Sequence, residues 1–268
     1  MSVETSIIEL SYADVAVAAS LVMIAAAISL SLRLGMERRL AVASLRTVSQ
    51  LLLIGYVLQW VFELSTLLAL LPVILLMLLM AAHTAAGRPT HSYRGMGALA
   101  FVSMAVSSLA VTLSATGLII GVEPWYRPAY LIPLLGMVLG NTMNGVSLAL
   151  DHFLESLALR RHEVEMELAL GATRWEAARG PLAEAIRRGM IPIINSMMVV
   201  GIVSLPGMMT GQILSGTDPA TAVKYQIMIM FMIAAGAALG SMGIVLLSYT
   251  RLFNQRHQLL VERIKTRA

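Results

Sequence analysis

The polar groups inside the apolar stretches of this sequence are neutral amides, hydroxyls and thioethers. Asn141 and Asn144 stand three apart in GMVLGNTMNG, which puts both on one face of a helix. Asn195 and Ser196 adjoin in a later apolar run, and Ser49 and Gln50 in an early one. Two kinds of chemistry suit such groups. They can hydrogen-bond between helices, at about 0.6 kcal/mol each, or they can line a neutral polar path across a bilayer. Further on, Ser204 and Pro206–Gly207 precede Met208 and Met209, and Met228, Met230 and Met232 alternate. Thioethers suit soft ions such as Cu(I), but methionine also fills irregular gaps. Residues two apart on a helix do not converge on one point. The candidate path is therefore Gln50, Asn141, Asn144, Asn195, Ser204, Pro206, Met208 and Met209, with no metal ligands assigned.

The groups that are missing narrow the function further. Asp14, Glu63, Glu123, Asp151 and Asp218 all fall at the ends of the apolar runs. Proton-driven carriers and pumps need a titratable group at depth, so that class is disfavoured. A retinal protein would need a lysine in the middle of its last span, and Lys224 stands at the outer edge. Neither lysine follows a glycine, so the phosphate-cradling G-x-x-x-x-G-K-[ST] loop is absent. With no cysteine, disulfides and thiolate metal sites are excluded. If the chain moves a solute uphill, another polypeptide must supply the energy.

The elements that position these residues follow from hydropathy. Of 268 residues, 58% are hydrophobic and 13% charged, about half the usual charged share, and the mean hydropathy is +0.80. Runs free of Asp, Glu, Lys and Arg predict an all-α integral membrane protein with seven spans, near 15–32, 46–62, 65–86, 96–121, 128–150, 189–212 and 225–249. These runs are apolar on every side, which argues against a β-barrel. The opening MSVETSIIEL has no basic region or small-residue cleavage pattern, so the first run reads as retained. With the N-terminus outside, every Lys and Arg except Arg127 and Lys224 falls on the inner side, out of 19. That asymmetry puts the C-terminus in the cytoplasm and makes the basic balance a topology signal, not a nucleic-acid signal. The segment RLGMERRLAVASLR reads as a short amphipathic surface helix, HTAAGRPTHSYRG as a turn, and the C-terminal RLFNQRHQLLVERIKTRA as a helical extension. No loop is long enough for another domain, so residues 1–268 form a single membrane domain.

One inner segment, 155–188, is too long and too charged to be a plain loop. RRHEVEMELAL is rich in helix formers. Gly171 interrupts it, and TRWEAARGPLAEAIRR resumes a helical pattern. Thr173 with Glu176 three residues on spells a capping box. Two readings stand for this helix–glycine–helix elbow, a docking surface or a solvated amphipathic helix.

The stretch EMELALGAT, with Glu165 six residues before Gly171, resembles the cytoplasmic coupling loop of ABC transporter permeases. Val200–Ile233, IGYVLQ, GMVLGNTMNG and NQRHQL resemble FetB-type (YbbM-type) permeases. The resemblance covers nearly the whole chain, from about Leu34 onward. It implies the membrane subunit of a bacterial inner-membrane ABC exporter, a pair of permeases working with two separate FetA-like ATPases. It further implies iron export and resistance to oxidative stress, with another metal or a nucleotide-sugar-like organic solute as alternative cargo. A docking or sensor protein that transports nothing is the competing class. This chain would bind no cofactor, because ATP and Mg belong to the ATPase. On this resemblance Glu163, Glu165, Glu167, Gly171, Arg174 and Trp175 couple the two subunits.

Overall fold

Close approach between small residues organises the core. The structure is a computed structural model that describes residues 11–64 and 66–266. The opening decapeptide, Ser65 at the start of the expected third span, and Arg267 lie outside the described residues. Helices α3 (Leu67–Gly87), α4 (Met96–Ser114), α5 (Pro128–Leu159), α7 (Arg174–Val199) and α9 (Pro219–Leu252) pack into one bundle. Gly236 and Gly240 of α9 lie against Val138 and Thr142 of α5. Gly145 of α5 and Gly189 of α7 meet back to back beside Ser241 of α9, and a Cβ on Gly189 would stand 2.8 Å from the Gly145 carbonyl. Three helices can therefore touch backbone to backbone at one level. Gly136 meets only the tip of Met77, and Gly140 has open space beside it.

The contacts also set helix directions. Val138 and Thr142 follow Gly236 and Gly240 in order, so α5 and α9 run parallel. Met77 lies by Gly136 and Arg88 by Asn144, so α3 runs with them. Tyr93 bonds Ser248 and Ser103 bonds the Gly240 carbonyl, so α4 runs against α9. His152 faces Glu184 and Asn144 lies by Pro192, so α7 runs against α5.

Helices α1 (Tyr12–Ser31) and α2 (Glu37–Leu64) form a hairpin beside this bundle. It is attached where Val61, with Val57 and Leu58, packs on Leu70 and Ile132. Otherwise its apolar faces are open, as lipid-facing helices are.

Among the described residues six helices are long and apolar enough to cross a membrane, by length and composition. The expected sixth run, 189–212, is not one helix. Helix α7 ends at Val199, residues 200–206 form a turn, and α8 spans Gly207–Leu214. Gly201 has φ +86° and the Ser204 amide returns to the Val199 carbonyl. Pro206, with no N–H to give, sits as the N-cap of α8. The surface helix expected before the second run is continuous with it, since no breaker separates Arg39 from Arg46, and α2 starts at Glu37. Helix α5 runs to Leu159, so its 32 residues span about 48 Å and outrun a hydrocarbon core of about 30 Å.

The helical reading of the C-terminal segment is corrected. Helix α9 stops at Leu252. Asn254 Oδ1 accepts from the amides of Arg256 and Gln258, His257 takes φ +55°, and Leu259 folds in beside Phe253. Two buried apolar residues and an asparagine that turns the backbone override helix propensity here. The chain then reaches β2 (Lys265–Thr266), antiparallel to β1 (His91–Ser92) in the loop read as a plain turn.

Candidate functional site

The elbow is built by three local devices. Helix α6 (Arg161–Ala169) ends in a Schellman turn in which Ala172 N–H donates to the Glu167 carbonyl and Gly171 N–H to Leu168. Gly171 carries φ +98°, a conformation that favours glycine. The capping box then starts α7. Thr173 Oγ1 accepts from the Glu176 amide, and Glu176 Oε2 accepts from the Thr173 amide at 2.7 Å. The Thr173 backbone and hydroxyl bonds hold the Glu176 carboxyl below its usual range.

Two of the three acidic residues expected to couple are already engaged within the chain. Glu163 pairs with Arg160 at 2.7 Å and Glu165 with Arg161 at 2.8 Å, and Glu167 is exposed. These are surface pairs of small energetic worth. Among the apolar residues of this segment Met166 is 59% exposed and Leu170 80% exposed, while Val164 is buried.

Arg174 and Trp175 anchor the elbow to the far end of the chain. The Arg174 amide donates to His257 Nδ1 at 2.8 Å, and its Nη1 donates to the Asn254 carbonyl. Its guanidinium lies 5.8 Å from the Tyr249 ring centre, and Trp175 meets that ring edge-on at 5.7 Å. Sequence reasoning missed Tyr249, Asn254 and His257, because nothing short-range links positions about eighty apart.

The expected path residues do not form one site. Asn141 and Asn144 lie on the outward face of α5. Asn141 donates back to the Met137 carbonyl, and Asn144 accepts from Arg88 at 2.6 Å. Gln50 is exposed on α2, Asn195 on α7 and Ser204 in the turn after it. Met208 is half-buried, and half-buried Pro206 and buried Met209 line a separate cavity together.

Asn144 does belong to a polar groove between α5 and α7. Two adjoining cavities of about 400 and 310 Å³ share Leu148, Asp151 and Pro192. Arg88 lines one; His152, Glu155 and Arg188 line the other. Asp151 Oδ1 accepts from the Thr90 amide at 2.8 Å, and His152 stands 3.5 Å from Glu184. The signal for this groove was present, since Arg88, Asp151 and Arg188 all fall at the inner ends of apolar runs. Among the described residues no cluster of three or more His, Asp or Glu could hold a metal ion.

A family profile described as "Uncharacterised protein family (UPF0014)" matches residues 12–253. The chain belongs to the UPF0014 family. Among UPF0014 relatives, the Synechocystis "UPF0014 membrane protein slr1647" is 40% identical over 96% of this chain and 100% of its own. The Escherichia coli "Probable iron export permease protein FetB" is 34% identical over 94% of this chain and 96% of its own. The Arabidopsis "Protein ALUMINUM SENSITIVE 3" is 31% identical over 91% of this chain and 88% of its own. No solved structure matches. The UPF0014 assignment and the six long apolar helices make this a multi-pass membrane protein.

Proposed function

We propose that this UPF0014 chain is the permease subunit of an ATP-driven exporter in a bacterial inner membrane, with a separate cytosolic ATPase as its motor and iron as its cargo. The observation that carries the reading is the elbow at Met166, Leu170 and Trp175. Large exposed apolar residues in a charged aqueous segment mark a protein contact. The same elbow continues without a break through α7 to the Gly189–Gly145 crossing, so a push on it reaches the bundle. In this reading α7 and α8 together make the sixth of seven crossings, the N-terminus is outside, and the tail is cytoplasmic. The alternating helix directions and the inner-side arginines support that arrangement.

Two copies complete the path. Asn141, Asn144 and Asn195 face outward, and amides facing lipid at depth are disfavoured. A second copy against α5 and α7 covers them and closes the groove of Arg88, Asp151 and Arg188. The iron cargo is taken from similarity to the Escherichia coli relative. Arg88 and Arg188 favour one second reading, an anionic organic solute.

The test is transport by the reconstituted permease and ATPase against a panel of divalent metals. Metal-dependent stimulation of ATP hydrolysis, lost in Gly171→Pro, is the expected result. Full transport-coupled hydrolysis in Gly171→Pro sinks the coupling role of the elbow, and stimulation by organic anions alone sinks the iron cargo.

A further inference from the structure

Where the sixth apolar run breaks, α7, α8 and α9 surround a cavity of about 580 Å³. Three methionines from three different helices line it: Met197 of α7, Met209 of α8 and Met230 of α9. Spacing along any one helix gave no convergence, but the break at residues 200–206 turns α8 back toward α9 and brings the three side chains to one space. Met209 and Met230 are buried.

Among the described residues the one polar side chain lining this cavity is Gln226, which is only 6% exposed. Its Oε1 has no hydrogen-bond partner among the described residues. An unpaired amide oxygen in apolar surroundings is costly and calls for a ligand. An ordered water needs two to four polar partners, and the remaining lining side chains are apolar. No carboxylate or imidazole reaches the cavity, so a hard divalent ion finds no charge to offset its lost hydration. A soft monovalent ion loses less hydration and accepts neutral thioethers. Methionine has three rotatable bonds, so its sulfur can swing onto an ion without moving the backbone.

We propose that this cavity is a binding site for a soft monovalent metal ion, Cu(I) or Ag(I), held by the sulfurs of Met197, Met209 and Met230 with the Gln226 amide oxygen. The site lies apart from the Arg88–Asp151–Arg188 groove, and it needs no ATPase to bind.

The test titrates the full-length permease in detergent with Ag(I), and with Cu(I) against a competing chelator. The expected result is one ion per chain. Leucine conserves methionine's volume, so Met197→Leu, Met209→Leu and Met230→Leu should keep the thermal unfolding profile. Each should weaken Ag(I) binding by roughly tenfold or more, a range that even changes around a ligand shell produce. Met23→Leu on exposed α1 serves as the control and should bind as the parent does. X-ray absorption of the Cu(I) form should show sulfur scatterers that diminish in the triple variant. No saturable Ag(I) binding by the parent protein overturns the proposal. So does stoichiometric binding that survives the triple variant, or equal affinity for Fe(II). Because the readout uses the permease alone, a failure here leaves the ATPase-coupling reading untouched, and the reverse holds as well.

Discussion

The backbone amide of Arg174 donates to the imidazole Nδ1 of His257 across 83 residues of sequence. One of the orphan N–H groups at the start of α7 is thus capped by the segment that follows α9. Elbow and tail act as one unit, and the tail is in turn tied by β2 to the loop between α3 and α4. Removing the imidazole in His257→Ala should cost about 1 kcal/mol of local stability and leave the bundle folded. Amide exchange at the elbow should rise and ATPase stimulation should fall. Exchange at residues 174–178 that matches the parent would contradict this.

The cap on α7 gives a pH prediction. The carboxyl of Glu176 is held below its usual range by its Thr173 bonds. A lowered folded value means that the stabilisation is complete above the unfolded carboxylate range and is lost as pH falls through the folded value. Elbow protection should therefore decline on acidification in the parent, and this dependence should be absent in Glu176→Gln. Thr173→Ala removes the reciprocal bond, with an expected loss of about 1 kcal/mol.

Gly171 separates conformation from crowding. A Cβ there meets no atom within 4 Å, but φ is +98°. Gly171→Ala should cost about 1 kcal/mol through backbone strain alone, so it should reduce coupling less than Gly171→Pro does. Coupling measured against ATP hydrolysis orders the three proteins. An alanine variant as impaired as the proline variant would contradict the conformational account.

Two other glycines should behave oppositely. Gly189→Ala forces a Cβ onto the Gly145 carbonyl and Ser241, so it should destabilise by roughly 1–3 kcal/mol and lower the thermal midpoint in detergent. Gly140 lies beside Asn141 with open space around it in the single chain. Gly140→Trp should leave the monomer folded and abolish cross-linking between cysteines introduced along α5 of two copies, the native chain having none. Undiminished cross-linking would remove that face from the proposed dimer interface.

Hydropathy made the membrane class and most of the helices legible, because lipid imposes the same apolar rule on every span. The Thr173–Glu176 box was legible for a local reason, since both partners lie within one turn. The break at Val199 was not, because Gly201 and Pro206 sit in a run whose hydropathy stays high. Two facts about side chains were hidden in the same way. Glu163 and Glu165 were read as coupling residues, and that reading did not pair them with Arg160 and Arg161. Asn144 looked like part of a neutral path, and its partner proved to be Arg88, a residue 56 positions away.

Helix α9 packs against α4, α5, α7 and α8, and it follows all of them along the chain. The bundle therefore cannot close while the ribosome is still making α9. Until then the earlier spans wait in the bilayer with Gly145 and Gly189 lacking Ser241 beside them. His257 comes later still, so the elbow is fastened only after the core is in place. A chain stalled before that point lacks the imidazole that caps the Arg174 amide, so its elbow is left unfastened.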